Sequence, residues 1–335
     1  MKMDHQPRPP VHILSPHPSV VYRLNYYKCP DFFSERQINM NSLGRTTGDK
    51  IKSFLMFALP GTFVFVCVVI IPFLYGFYLT FTDWNGVAAV KNLVGFDNYK
   101  ALMADKNFWN SMALTLKYVV FSVLLVNAFG FVFAYFLSGR IKTGQNVFRA
   151  GFFTPNLIGG VVLGFIWQFV FSQLLVKFGK NLGIAIFSKS WLSDPTKAFW
   201  ALVIVTVWQL SGYMMLIYIA GFTGLSEDVL EAASIDGAYG WAKMRHIVLP
   251  LMVPSFVICI FLTLSRAFMV YDINLTLTGG EPYGSTKLVA MHVYEKAFTA
   301  RQYGIGQAEA VFLFFVVALI SGLQVYLGKK QEVEA

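Results

Sequence analysis

Long apolar stretches alternate with short polar segments along this chain of 335 residues. Six stretches are long enough to cross a bilayer, since a helix needs about 20 mostly apolar residues to span the hydrocarbon and unpaired peptide groups are costly in lipid. They cover residues 54–80, 112–138, 154–176, 199–225, 250–272 and 303–327. The pattern predicts an all-α membrane protein whose six transmembrane helices form one domain, residues 54–328.

The composition supports this prediction, because 56% of the residues are hydrophobic and 13% are charged. No remaining segment is long enough for a separate soluble catalytic domain. Much of the net charge of +9 lies in the N-terminal segment and at helix ends, where anionic lipid is the expected partner rather than nucleic acid. None of Cys29, Cys67 and Cys259 lies in a predicted extracytoplasmic loop, where disulfides could form. They are expected to be packing residues.

The first 53 residues are polar and rich in proline, with eight Lys or Arg. They indicate a cytoplasmic tail whose composition is typical of disorder, and by the positive-inside rule they place the N-terminus inside. Six spans then place the C-terminal tail, residues 329–335, inside as well. Met40 begins MNSLGRTTGDKIKSF, so residues 1–39 are expected to be either a dispensable extension or a misassigned start.

The sequence contains no complete motif for phosphate binding or for a zinc site. The sequence GGEPYGST, residues 279–286, has Ser285 where a phosphate-binding loop needs lysine, and no pair of the five histidines has the HExxH spacing of a zinc site. We therefore expect a non-catalytic subunit with neither a metal nor a cofactor bound to this chain.

The predicted cytoplasmic connection between spans four and five is unusually polar. Ser226 with the acids after it predicts a helix start, and Val229, Ala232 and Ala233 form a face of small residues. Gly237 predicts a sharp turn, before a second short amphipathic helix with Trp241, Met244 and Ile247. Pro250 suits the first turn of the next span. These residues by themselves are equally consistent with an ordinary helix-turn-helix loop resting on lipid headgroups.

A resemblance separates the two interpretations. Glu231-Ala232-Ala233, Asp236-Gly237-Ala238 and then Ile247, Leu249 and Pro250 resemble the EAA loop of bacterial ABC importer permeases. The likeness extends to GFDNYKALMADKNFW at 95–109, to Arg149 with Pro155, and to LTGGEPYGST with YGIGQAEA near the last loop. The chain is similar to the carbohydrate-uptake branch, which includes the larger membrane subunit of the maltose transporter and permeases for other oligosaccharides and glycerol phosphate.

The resemblance implies the fold of a type I importer permease and a role for the loop. In such importers the first short helix of the loop sits in a cleft of the ATPase subunit. Carried over, Glu231 is the anchor, Ala232 and Ala233 permit the close fit, and Gly237 turns the chain. Asp236, Ile247 and Pro250 belong to the same motif. The chain departs from the family in its long tail and in Met244, where an aromatic residue is frequent.

The resemblance also implies partners: a second homologous permease, two ABC ATPase subunits that bind ATP and Mg²⁺, and an extracytoplasmic solute-binding protein. A heterodimer of permeases is expected, with a homodimer as the alternative. The location implied is the bacterial cytoplasmic membrane, crossed several times. A rocking motion of the helices about a central site would give alternating access to a sugar or oligosaccharide.

Polar residues inside spans indicate a candidate substrate path, because they are costly in lipid. Gln209 and Tyr213 share a helix face, being four residues apart. Asn127 and Gln168 also lie near mid-depth, with interhelical hydrogen bonding as their alternative role. Asp272, Asn274 and Glu309 complete the candidate set together with Arg266.

Arg266 lies inside the fifth predicted span, where a cation needs a partner. One hypothesis is a structural ion pair with Glu309 or Asp272. The other is that Arg266 faces the path and binds a carboxylate or phosphate of the solute, which would favour uronides or glycerol phosphate.

Two other classes of function stay open on the residues alone. A secondary transporter or channel would tend to show inverted repeats or acids spread through several spans. A membrane enzyme would need a reactive cluster. The sequence shows neither feature clearly.

Overall fold

The computed structural model describes residues 51–52, 54–139 and 144–331. Its principal helices, in chain order, are α1 Phe54–Leu79, α2 Asp97–Ala104, α3 Lys106–Ser138, α4 Gln145–Phe153, α5 Gly160–Leu182, α6 Pro195–Thr223, α7 Glu227–Ile235, α8 Gly240–Leu251, α9 Val253–Phe268, α10 Asp272–Leu277, α11 Val289–Tyr294 and α12 Tyr303–Lys329. Within those ranges the one β-type pairing is an isolated antiparallel bridge between Thr82 and Leu93.

Most of the two predicted tails falls outside the described residues: the prediction of disorder for 1–53 and of a C-terminal tail at 329–335 is therefore untested there, as is the alternative start at Met40. The chain divides into two compact units, Met1–Val64 and Phe65–Ala335. In the first, the described residues 54–64 are helical. All packing described below lies within the second unit.

Within the described part of the chain, five helices are long and apolar enough to cross a membrane, namely α1, α3, α5, α6 and α12. The pair α8 and α9 also passes when taken together, although it bends by 66° at Met252, so the helices allow the six predicted spans. The first, second, fourth and sixth predicted spans match α1, α3, α6 and α12. The fold class predicted from the sequence is therefore confirmed.

The predicted third span, 154–176, was placed too early in the chain. Residues Thr154–Leu157 form a 3₁₀ turn after α4, Ile158 is extended, and the long helix α5 begins only at Gly160. Pro155 has no backbone N–H to donate within a helix, and two adjacent glycines follow Ile158. The third apolar stretch is thus broken near its start, and its helix continues to Leu182.

The predicted fifth span, 250–272, was also wrong at both ends. Pro250 lies inside α8, and Pro254 instead occupies the first turn of α9. Helix α9 ends at Phe268, and Asp272 begins the separate short helix α10. The straight part of this span is therefore shorter than the apolar stretch predicts.

The centre of the bundle is the packing of α6 between α3 and α9. Gly130 of α3 lies so close to α6 that a Cβ atom there would sit 3.0 Å from the Cβ of Met214. Across the same interface the Tyr118 hydroxyl and Thr206 Oγ1 are 2.5 Å apart and hydrogen-bonded. Among the membrane-spanning helices that the structure describes, α6 is the most completely covered by protein. It carries Gln209 and Tyr213 along its length and leads into the connection that follows Thr223.

We name residues 80–105 and 272–309 the cap. Its parts are joined by hydrogen bonds to backbone carbonyls: Gly304 N–H donates to Trp84 O at 3.1 Å, and the Asn98 side chain donates through Nδ2 to the carbonyls of Thr80 and Thr82. The cap therefore closes one end of the helices, and the connection between α6 and α9 lies at the other.

Candidate coupling segment and substrate path

The coupling segment, residues 226–250, begins with helix α7. Ser226 occupies the N-cap position, with Glu227 and Asp228 in the first turn, where acids favour the positive end of the helix dipole. The Ser226 side chain accepts no backbone N–H, so its hydroxyl does not cap the helix. The helix start was thus predicted correctly, although it lacks the hydrogen bond that an N-cap serine usually accepts.

The turn after α7 is a tight reversal built on glycine. Gly237 has φ +84°, a conformation that other residues rarely adopt, and Ala238 N–H donates to Ala233 O at 2.9 Å across the turn. Gly240, the first residue of α8, also has a positive φ, +54°. Gly237 was predicted from the sequence, whereas Gly240 was missed although its proximity to Gly237 was a signal.

Lys243 joins the two helices of the segment. Its ammonium donates to the Leu230 carbonyl at 2.8 Å and to Ser234 Oγ at 3.0 Å. The Leu230 carbonyl also accepts from Ser234 Oγ at 2.8 Å, so the three groups form one hydrogen-bonded set. Lys243 therefore ties α7 to α8, a role that was not predicted from the sequence.

The residues of the EAA-like motif differ in their exposure to solvent. Glu231, Ala232, Asp236 and Gly237 are exposed, and Ile247 and Pro250 are half-buried. Ala233 is 7% exposed and faces the rest of the chain, so it does not belong to one open small-residue face with Ala232.

Three large apolar side chains in this segment are exposed to solvent. Ile235, Tyr239 and Trp241 are 86%, 69% and 73% exposed. They surround the turn at the tip of the segment. Exposed apolar side chains grouped in this way indicate a surface that another protein or the membrane covers.

The candidate path residues that the structure brings together lie where the third span is broken. Gln209 Nε2 donates to Ile158 O at 3.2 Å, and Arg266 Nη1 donates to Asn156 Oδ1 at 3.0 Å. The Arg266 guanidinium also lies over the Tyr213 ring, 5.1 Å from its centroid. Helices α6 and α9 and the 154–159 break thus supply one polar cluster, of which Asn156 was missed.

The predicted ion pair of Arg266 with Glu309 or Asp272 is wrong. Among the described residues, neither acid comes within 4.0 Å of Arg266, which is exposed and bound to the neutral amide of Asn156. Glu309 lies in the cap. The sequence places Arg266 and Glu309 at similar depth but does not show which helix faces they occupy.

Asp272 and Asn274 do not join the cluster either. Asp272 is exposed beside the start of α5, where a Cβ on Gly160 would lie 2.8 Å from the Asp272 Cβ. Asn274 is buried and holds the following loop, donating to Thr286 O at 2.8 Å and accepting from Leu288 N–H at 3.1 Å. Asn274 is thus part of the cap's internal packing.

Asn127 and Gln168 have different environments. Asn127 accepts from the Tyr218 hydroxyl at 2.8 Å and contacts Thr263 Oγ1 at 3.4 Å, so the interhelical alternative is confirmed for it. Gln168 is exposed on α5, and no interhelical hydrogen bond of its side chain occurs among the described residues.

A second polar cluster lies in the cap. Asp105, His292 and Glu309 bring an imidazole and two carboxylates within 4.8 Å of one another. Burial raises the pKa of the Asp105 carboxyl, but hydrogen bonds from Lys296 and from the backbone N–H of Phe108 outweigh it, so the pKa is lowered overall. Asp105 is therefore ionised at neutral pH.

Residues 126–333 match the family described as "binding-protein-dependent transport system inner membrane component". The chain belongs to this family. That segment contains the coupling segment, the polar cluster of α6 and α9, and most of the cap. The protein is accordingly a multi-pass membrane permease that works with a binding protein, as the sequence predicted.

Curated relatives agree with this assignment. The chain is 41% identical over 281 residues to the "Probable starch degradation products transport system permease protein AmyD" of Thermoanaerobacterium thermosulfurigenes, which covers 84% of this chain and 95% of that one. It is 32% identical to the "Multiple sugar-binding transport system permease protein MsmF" of Streptococcus mutans, over 78% and 90% of the two chains. A solved "bacterial ABC transporter involved in the import of the acidic polysaccharide alginate" has the same fold, with a TM-score of 0.72 at 18% identity over 84% of this chain and 98% of that one.

Proposed function

We propose that this permease forms half of the translocation path of an ATP-driven importer for a sugar or oligosaccharide. The observation that carries the proposal is the match to the permease family over 126–333, together with relatives at 41% and 32% identity that are named for starch products and multiple sugars. A binding protein delivers the solute, and separate ATPase subunits with bound ATP and Mg²⁺ supply the energy.

The coupling segment receives the ATPase. Its exposed acid Glu231 and the apolar side chains Ile235, Tyr239 and Trp241 form the tip, a combination of apolar anchors with a charged rim that suits a protein cleft. Gly237 and Lys243 hold this tip in shape. Motion of the ATPase pair is thereby passed to α9, because α8 leads directly into it.

The solute passes the cluster of Asn156, Gln209, Tyr213 and Arg266. Amide, phenol and guanidinium groups donate hydrogen bonds to sugar hydroxyls, and an aromatic ring offers an apolar face to a sugar. A second permease closes the path around this cluster, and we favour a different homologous chain over a second copy. Both termini lie in the cytoplasm, with residues 54–328 as the membrane domain between two tails.

The experiment is copurification and reconstitution. The tagged chain expressed in its native cell should bring down an ATPase and a second permease, and vesicles containing the complex should take up labelled oligosaccharide only with ATP and the binding protein. Recovery of the chain alone, with uptake that needs no ATP, would instead support a secondary transporter or channel.

An acidic saccharide is a second candidate solute, favoured by one observation. Arg266 carries a full charge at an exposed position and, among the described residues, has only a neutral amide and a ring as partners. Uptake competition between a neutral oligosaccharide and the matching uronide tests this. In Arg266→Gln, loss of uronide uptake alone supports the acidic solute, and unchanged uptake of both sugars rules it out.

A further inference from the structure

The cap contains a buried carboxylate with no hydrogen-bond donor in the described part of the chain. Glu309 is 0% exposed, and both of its carboxylate oxygens lack a donor. His292 Nε2 lies 3.6 Å from its Oε1, and that nitrogen is also buried and without a hydrogen bond among the described residues. Burying an ionised carboxylate without a partner is expensive, so this arrangement calls for a cation.

The spacing of the atoms suggests which kind of cation. His292 Nε2 lies 3.6 Å from Glu309 Oε1 and 3.8 Å from Asp105 Oδ2, distances that are too long for hydrogen bonds. Two ligands held about 2.1 Å from one tetrahedral zinc ion stand roughly 3.4 Å apart, so small shifts would place all three atoms around one ion. One imidazole and two carboxylates are a donor set that zinc accepts.

The protein around these atoms holds them in place. Asp105 Oδ1 accepts the backbone N–H groups of Asn107 and Phe108 at 2.9 and 3.3 Å, and its Oδ2 accepts from Lys296 at 2.6 Å. A carboxylate oxygen has two lone pairs, so Oδ2 has room for both Lys296 and an ion. Outer hydrogen bonds of this kind orient metal ligands.

An entry path exists as well. His292 and Lys296 line a polar cavity of about 760 Å³ that also touches Asn107, Asn110 and the loop at residues 283–287. A hydrated cation can therefore reach the imidazole from water without crossing the apolar core.

From these observations we propose that Asp105, His292 and Glu309 bind one zinc ion, with water as the fourth ligand. The ligands come from the N-cap of α3, from α11 and from the first turns of α12. The ion joins α11 to the two membrane helices and stabilises the cap, a role separate from transport chemistry and independent of the solute. Because successive ligands lie 187 and 17 positions apart, no local motif could have revealed the site.

The test uses the full-length chain in detergent, purified through a tag without histidine. His5, His12 and His17 are changed to Gln in every sample, so that the N-terminal segment contributes no imidazole. After incubation with zinc chloride and gel filtration, elemental analysis should find about one zinc per chain. Glu309→Gln and His292→Gln should each weaken zinc binding by about 100-fold or more, since loss of an outer partner alone costs roughly 10–100-fold.

Two matched controls define the site. Glu295→Gln alters an acid of the same cavity that pairs with Lys287 at 2.6 Å, and His246→Gln removes an exposed histidine of α8. Both should keep the zinc. Loss of zinc in either control to the same degree as in Glu309→Gln would overturn the proposal, because the metal would then be bound elsewhere or adventitiously.

Cobalt provides a measurement that does not depend on the variants folding. Co²⁺ added to the chain with the three tail substitutions but an intact cap should give the intense visible bands of a four-coordinate ion, and zinc should abolish them. A weak six-coordinate spectrum, or no binding of either metal, would overturn the proposal.

Discussion

The coupling segment and the cap are built from opposite kinds of contact. In the coupling segment the fixing bonds are local, such as Lys243 to Leu230, 13 positions apart. In the cap they join distant parts of the chain: Val289 N–H donates to Thr115 Oγ1 across 174 positions, and Lys296 pairs with Asp105 across 191. The first region keeps apolar side chains exposed, whereas the second buries even a glutamate.

This difference indicates how the two regions work. A segment whose tip is exposed can receive a partner and move with it, while its own shape is kept by glycine turns and one lysine. A cap with many long-range bonds resists such motion. Changes in the coupling segment should therefore reduce transport without unfolding the protein. Changes in the cap should lower the stability of the protein without reducing transport by the molecules that remain folded.

The largest effect is expected at the tip of the coupling segment. Gly237→Val forces a β-branched residue into φ +84°, and Glu231→Arg reverses the charge offered to the ATPase. Both should abolish ATP-dependent uptake in reconstituted vesicles while membrane insertion and thermal stability stay near wild type. Asp228→Asn, an exposed acid in the first turn of the same helix, is the control and should transport normally. Normal uptake in both test variants would remove the basis for the coupling role.

The next largest effect tests the cap. A Cβ on Gly304 would sit 2.1 Å from the Thr82 carbonyl oxygen, a backbone atom that no rotamer change can move. Gly304→Ala should lower the free energy of unfolding by about 1–3 kcal/mol or more, as overpacking does. The matched control in the same helix is Gly322→Ala, where a Cβ meets nothing within 4 Å. Equal melting temperatures for the two variants in detergent would contradict the close packing of α12 on the 80–84 loop.

A third substitution separates a path residue from a cap residue. Asn274→Ala leaves the buried Leu288 N–H and Thr286 carbonyl without partners, which should cost about 1–3 kcal/mol. The melting temperature should fall, and the apparent affinity for the solute should not change in molecules that remain folded. Asn110→Ala, an exposed asparagine near the cap, is the control. A weakened solute affinity with unchanged stability would return Asn274 to the substrate path.

The smallest effect concerns the angle between α7 and α8. Lys243→Met removes the donor to Leu230 O and Ser234 Oγ, an interaction worth about 1 kcal/mol, so uptake should fall by less than about tenfold. Arg245→Met, an exposed cation two positions away, should leave uptake unchanged. Uptake rates at saturating ATP measure the difference, and identical rates would show that the joint does not need this lysine.

The sequence by itself determined the all-helical membrane setting, the polar segment between spans four and five and its glycine turn. These features depend on residues that are close together in the sequence: the length of an apolar stretch, the residues at a helix start and the conformational freedom of Gly237. The break at 154–159 had a local signal too, Pro155 with paired glycines, but the apolar content around it concealed the interruption.

Only the tertiary structure decided which polar residues meet. Arg266 pairs with Asn156, 110 positions away, and Glu309 faces His292 and Asp105 in the cap instead of Arg266. Hydropathy gives the approximate depth of a residue in a span but not the direction of its side chain. That direction depends on how close the helices approach and on where each is bent. Small residues such as Gly130 and Gly304 set those approaches, and their partners cannot be identified until the chain is folded.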